Sequence, residues 1–72
     1  MNDKLQIIYM QTRLVRLAAD VWNVSVDEAN RIFTDNGIYK YISDYWDIFH
    51  VESDMAVLDD ITERLNKTKV AI

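Results

Sequence analysis

The near absence of residues that interrupt helices is the strongest constraint on the fold of this chain. Its 72 residues include one glycine, no proline and no cysteine. Turn-rich β folds depend on glycine and proline at their turns, and small disulfide or zinc domains depend on cysteine. Half of the residues are nevertheless hydrophobic, which is enough to build a core. We therefore expect an all-α protein.

The chain has room for a single domain, so residues 1–72 are interpreted as one helical domain. Apolar periodicity predicts a compact bundle of about four helices. Their predicted ranges are about 3–22, 26–35, 38–49 and 54–66.

Local signals mark the ends of these helices. Ser25 and Ser53 are typical N-caps, and Glu28 stands where it would complete a capping box with Ser25. Gly37 is expected to adopt the left-handed conformation that ends the second helix.

The first predicted helix is unusually apolar. Its hydrophobic residues cover more than half of its circumference, whereas an ordinary surface helix has a narrower stripe. Four short helices offer little with which to cover both sides, so we expect the bundle to be completed by homodimerisation. The candidate dimer residues are Leu14, Leu17 and Val21.

Negative charge is concentrated in the second half of the chain. Twelve acids and eight bases give a net charge of −4, and the span 41–63 contains acids but no base. Such a span is either a solvated surface or a docking face for a basic protein, and it repels the phosphates of nucleic acids. The candidate partner-binding residues are Asp44, Asp47, Asp59, Asp60 and Glu63.

The sequence offers little for catalysis. Asp47 and His50 are spaced to meet on one helical face, but His50 stands at the end of the third predicted helix, where histidine is typical of a cap. One histidine with scattered acids is not a metal-ligand set, and one glycine cannot build a phosphate loop. We expect no enzyme, no cofactor and no metal.

No apolar run approaches the roughly 20 residues that span a bilayer, so we expect a cytoplasmic protein without membrane contact. The aromatics of the third predicted helix are read as core or as a protein interface rather than as a platform for stacked bases, because the charges between them are mostly acidic.

An alternative function is DNA binding through a helix-turn-helix around Asn23. The helix that would enter the major groove begins with Asp27 and Glu28, which would face phosphates, and Arg31 is its only base.

Several residues together carry a family resemblance. The pattern is a helix ending at Gly37, an apolar-aromatic helix closing with Tyr45, Asp47 and His50, and then an acidic helix. Val24 and Ser25, followed by Glu28 and Ala29, match the start of the second helix of that family. The chain resembles a family of short bacterial proteins classed as a domain of unknown function.

Members of that family are often encoded beside an ADP-ribosyltransferase-like toxin. The resemblance implies an antitoxin-like or accessory role, and it brings no catalytic residues. The leading hypothesis is therefore a non-enzymatic module that binds a protein partner. A structural homodimer with no separate ligand is a further alternative.

Overall fold

Residues 3–68 are described by a computed structural model, and within them the chain forms five helices and no strand. The helices are α1 (Asp3–Trp22), α2 (Val26–Asp35), α3 (Ile38–Asp44), α4 (Trp46–Phe49) and α5 (Asp54–Lys67). The predicted all-α bundle is confirmed, and the first two helices have the predicted bounds.

The predicted caps form through side-chain oxygens. Ser25 Oγ accepts from the backbone N–H of Glu28 at 3.0 Å, and Ser53 Oγ accepts from that of Ala56 at 3.1 Å. Each bond satisfies a backbone donor that the first turn leaves free, a contribution of about 1 kcal/mol. The reciprocal half of the capping box is absent, because the Glu28 carboxylate pairs with Arg31 at 2.6 Å instead.

Gly37 has φ +65° and ψ +27°, as predicted for a left-handed residue after a helix. A Cβ at this position would meet no neighbouring atom, so its backbone conformation alone favours glycine.

The prediction of one continuous helix over 38–49 was wrong, because the helix breaks at Tyr45. Tyr45 has φ −108° and ψ +20°, and it caps the end of α3 and the start of α4. The rings of Tyr41 and Phe49 pack edge to face with centroids 5.5 Å apart. Along a continuous helix their backbones would be separated by about 12 Å. The break therefore accommodates an aromatic contact that a straight helix would hinder.

Two long-range side-chain contacts show that α1 and α5 run in the same direction. The Arg13 guanidinium pairs with Asp54 at 2.9 Å, near the start of α5. Further along both helices, Trp22 Nε1 donates to Thr62 Oγ1 at 3.3 Å. The start of α3 is tied to the middle of α1, where Gln11 Nε2 donates to the backbone carbonyl of Tyr39 at 2.9 Å.

All five helices contribute to one apolar core. Phe33 lies near its centre, with Trp22 and Tyr39 packed edge to face at centroid distances of 5.9 and 5.3 Å. Among residues 3–68 no polar or charged residue is buried. The buried residues are Met10, Leu14, Val15, Ala18, Ala19, Ala29, Phe33, Ile38, Ile42, Phe49, Val57, Leu58, Ile61 and Leu65.

Candidate interaction surfaces

The N-terminal turns of α1 are only partly covered by the other helices of residues 3–68. Met10 is the first buried residue of α1, and none of residues 3–9 is buried. This follows from the packing, since α5 begins beside Arg13 and α3 is bonded to Gln11. The N-terminal part of α1 therefore projects past the helices that cover its later turns.

Three large apolar side chains are exposed on this projecting segment. Ile8 and Tyr9 follow Leu5 by three and four positions. The three side chains therefore form one stripe along the outside of the helix. Amphipathic helices that bind in a partner's groove present anchors with this spacing. We call these three residues the α1 stripe.

The three dimer candidates predicted from the sequence differ in how far the core of their own chain buries them. Leu14 is 0% exposed inside the core, so its proposed place at a dimer interface is wrong. Its side chain points towards the other helices of the same chain, which already exclude water from it. Leu17 is half-buried against the core, and Val21 is exposed near the other end of α1.

Four of the acids in the span 41–63 have partners, although the span itself has no base. Lys40 pairs with Asp44 at 2.7 Å, and Lys67 pairs with Glu63 at 3.7 Å. Asp60 accepts a hydrogen bond from the hydroxyl of Tyr41. Asp54 pairs with Arg13 of α1. The three cationic partners, Arg13, Lys40 and Lys67, come from outside the span, whereas Tyr41 lies within it.

Two of the five predicted partner-binding acids have no side-chain partner among residues 3–68, whereas the other three do. Asp47 and Asp59 are exposed, and neither has an ion pair or side-chain hydrogen bond with another residue of 3–68. These two residues belong to different helices, α4 and α5.

His50 neither caps carbonyls with its side chain nor pairs with Asp47 within residues 3–68. It is the C-cap residue of α4 through its backbone, whose N–H donates to the Trp46 carbonyl at 2.9 Å. Its exposed ring packs on the ring of Trp46, with centroids 5.2 Å apart. His50 therefore stands at a helix end as expected, but its ring turns towards the indole and not towards Asp47.

A groove between α3 and α5 was not predicted from the sequence. Its floor is the ring of Tyr41, whose hydroxyl donates to Asp60 Oδ2 at 2.9 Å. The guanidinium carbon of Arg64 lies 4.3 Å from the centroid of that ring. Hollows of about 250 and 360 Å³ flank this pair. The spacing of Asp60 and Arg64 places both on one helical face, but nothing in the sequence points to Tyr41 as their common partner.

Two tyrosine hydroxyls are held in their protonated form. Burial raises the pKa of Tyr39, and burial together with the hydrogen bond to Asp60 raises the pKa of Tyr41. The hydroxyl of Tyr39 donates to Asn30 Oδ1 at 2.6 Å.

The raised pKa values predict a loss of stability in alkali. Because the folded state favours the protonated hydroxyls, their contribution is fully present below the unfolded-state value of about 10 and is lost as pH rises through the folded-state values. Urea midpoints measured as a function of pH should fall beyond about pH 10. The fall should be smaller for a Tyr41→Phe variant, and an equal fall in the variant would contradict the assignment for Tyr41.

Residues 3–68 contain neither a metal-binding cluster nor a membrane-spanning helix. No group of three His, Asp or Glu side chains comes together there to bind a metal ion. No helix in this part of the chain is long and apolar enough to cross a membrane.

A match to a family model shows to which protein family the chain belongs. A family model described as a protein of unknown function, DUF3791, matches residues 9–68. The chain belongs to this family. The match begins at Tyr9 and includes Gly37, Tyr45, Asp47 and His50, on which the resemblance in the sequence was based. No curated protein and no solved structure matches the chain.

Proposed function

We propose that this DUF3791 protein is a non-enzymatic protein-interaction module of the bacterial cytoplasm. The observation that carries the proposal is the α1 stripe, in which Leu5, Ile8 and Tyr9 are exposed on turns without a buried residue. The exposed part of these side chains adds nothing to the stability of the isolated domain, whereas a docking helix would bury it.

The α1 stripe fits insertion into a groove better than a flat symmetric contact. Three partly exposed side chains fall well short of the roughly 800 Å² per partner that a standard interface buries. Six of the seven residues from Asp3 to Tyr9 are exposed, so a groove can enclose the helix on several sides. We therefore propose a partner with an apolar groove and keep the homodimer as the alternative.

The neighbouring gene product is the first partner to test. The family resemblance implies an antitoxin-like or accessory role beside such a product. Asp47 and Asp59 supply charge without a partner among residues 3–68, which would favour a basic protein.

Replacing Ile8 by glutamate should reduce capture of the co-expressed neighbouring product at least about tenfold, because a charge would enter the apolar groove. Val21→Glu is the matched control. Both side chains are β-branched residues of α1, with Ile8 45% and Val21 49% exposed. Neither variant should change the free energy of unfolding by more than about 0.5 kcal/mol. Affinity pull-down measures capture, and urea unfolding measures stability.

Loss of capture in Val21→Glu with full capture by Ile8→Glu would contradict the proposed surface. Light scattering on the isolated protein addresses the alternative. A dimer that dissociates in the Ile8→Glu variant would assign the α1 stripe to self-association and leave the structural homodimer as the function.

A DNA-binding regulator is the second candidate. Asn23 has φ +57°, the left-handed conformation of a tight turn between α1 and α2, and this favours the helix-turn-helix interpretation. Against it, the base of the second helix, Arg31, is paired with Glu28 at 2.6 Å. Salt-sensitive binding of upstream DNA in a gel shift would support this candidate, and no binding at low salt would remove it.

A further inference from the structure

In the groove between α3 and α5, a guanidinium stacks on an aromatic ring. Arg64 stacks on the ring of Tyr41, with its guanidinium carbon 4.3 Å from the ring centroid. The ring is itself immobilised, because its hydroxyl donates to Asp60 and its face and edges pack against Tyr45 and Phe49 at 5.0 and 5.5 Å. Stacking of this kind leaves the N–H groups at the edge of the guanidinium available for hydrogen bonds.

The acids around Arg64 are engaged elsewhere. Asp44 pairs with Lys40, and Glu63 pairs with Lys67. Asp60 accepts from the Tyr41 hydroxyl. Arg64 forms no ion pair with a carboxylate of residues 3–68. Arg64 lines both of the hollows that flank it, of about 250 and 360 Å³.

We propose that this groove binds a carboxylate, with Arg64 as its bidentate anchor. The planar fork of a guanidinium matches the two oxygens of a carboxylate, and such pairs are stronger than neutral hydrogen bonds. The lining contains three cations and three carboxylates, so its formal charge is zero. A singly charged carboxylate is repelled less by the three lining acids than a doubly charged phosphate.

The larger hollow also specifies what stands beside the carboxylate. Tyr45 lines it and is about half exposed, so its ring offers an apolar surface one side chain away from Arg64. Asn36 lines the same hollow. The proposed occupant is the C-terminus of a peptide with an apolar last side chain, which would place its carboxylate at Arg64 and that side chain against Tyr45. None of the lining residues lies on α1, so this site is separate from the α1 stripe and goes beyond the proposed function.

The test uses four probes and the intact protein. They are acetyl-Ala-Ala-Leu with a free carboxylate, the same peptide with a C-terminal amide, N-acetylleucine and inorganic phosphate. Amide chemical shifts of the isotope-labelled protein report binding. We expect saturable shifts around Arg64 and Asn36 with the free peptide and at least roughly tenfold weaker binding of its amide. Equal binding of N-acetylleucine would assign the site to small carboxylic acids, and tighter binding of phosphate would overturn the carboxylate assignment.

Arg64→Gln should weaken binding of the free peptide by at least about tenfold, and Arg64→Lys should weaken it as well because the fork is lost. Arg16→Gln is the matched control, since Arg16 is an exposed arginine with no ion pair among residues 3–68. Ile8→Glu should leave peptide binding unchanged, which separates this site from the α1 stripe. Unchanged binding in Arg64→Gln, or no saturable shift with the free peptide, would overturn the proposal.

Discussion

Replacing Leu14 by alanine is expected to lower the free energy of unfolding by about 3 to 5 kcal/mol. Leu14 is fully buried in the core, so the substitution removes apolar contacts and leaves a cavity. A domain of this size has a total stability of only about 3 to 5 kcal/mol if a single core stabilises it. Urea unfolding followed by circular dichroism should therefore show a variant that is mostly unfolded without denaturant.

This result also separates a core residue from an interface residue. The destabilisation by Leu14→Ala should not depend on protein concentration, because all the contacts of Leu14 are within its own chain. Val21→Ala is the matched control in the same helix, since Val21 is exposed. A Leu14→Ala variant with the wild-type unfolding free energy but an altered oligomeric state would restore Leu14 to an interface.

Replacing Phe33 by alanine is expected to abolish cooperative folding. The substitution costs about 3 to 5 kcal/mol for the lost side chain. The two edge-to-face ring contacts of Phe33, to Trp22 and Tyr39, place the cost towards the upper end of that range. Far-ultraviolet circular dichroism should show most of the helical signal lost, and the combined fluorescence of Trp22 and Trp46 should shift towards that of indole in water.

Ile48→Ala serves as the control for Phe33, because the side chain of Ile48 is exposed on α4. It should change the free energy of unfolding by about 0.5 kcal/mol or less. A Phe33→Ala variant that unfolds cooperatively at the wild-type urea concentration would show that the aromatic centre of the core has been misidentified.

The helix ends were predictable because their causes are local. Ser25 and Ser53 each bond to a backbone N–H three residues away, and Gly37 adopts a conformation that other residues avoid. The break at Tyr45 was not predictable in this way. It contains neither glycine nor proline and goes with the packing of the rings of Tyr41 and Phe49, which is a tertiary contact.

The surfaces were harder to predict than the helices. Periodicity showed that α1 is apolar on more than one side, but not which of its residues the other helices cover. Leu14 is buried and Ile8 is exposed because the hydrogen bonds that join α3 and α5 to α1 are made by Gln11 and Arg13, which lie beyond Ile8. The charge pattern likewise did not show which acids are paired with a base. The partner of Asp54 is Arg13, which is distant in the sequence.

The groove between α3 and α5 shows the same limit. The sequence indicates that Asp60 and Arg64 share a face of α5. That Tyr41 fits beneath both of them depends on the angle between two helices, and side-chain spacing within one helix does not give that angle.

Photo-crosslinking from α1 tests the proposed function most directly. A benzophenone amino acid would replace Tyr9 in one variant and Val21 in another, both of them exposed positions. In cells that co-express the neighbouring gene product, we predict a covalent adduct with that product from position 9 and none from position 21. An adduct from position 21 alone, or adducts of equal yield from both positions, would contradict a docking surface at the α1 stripe.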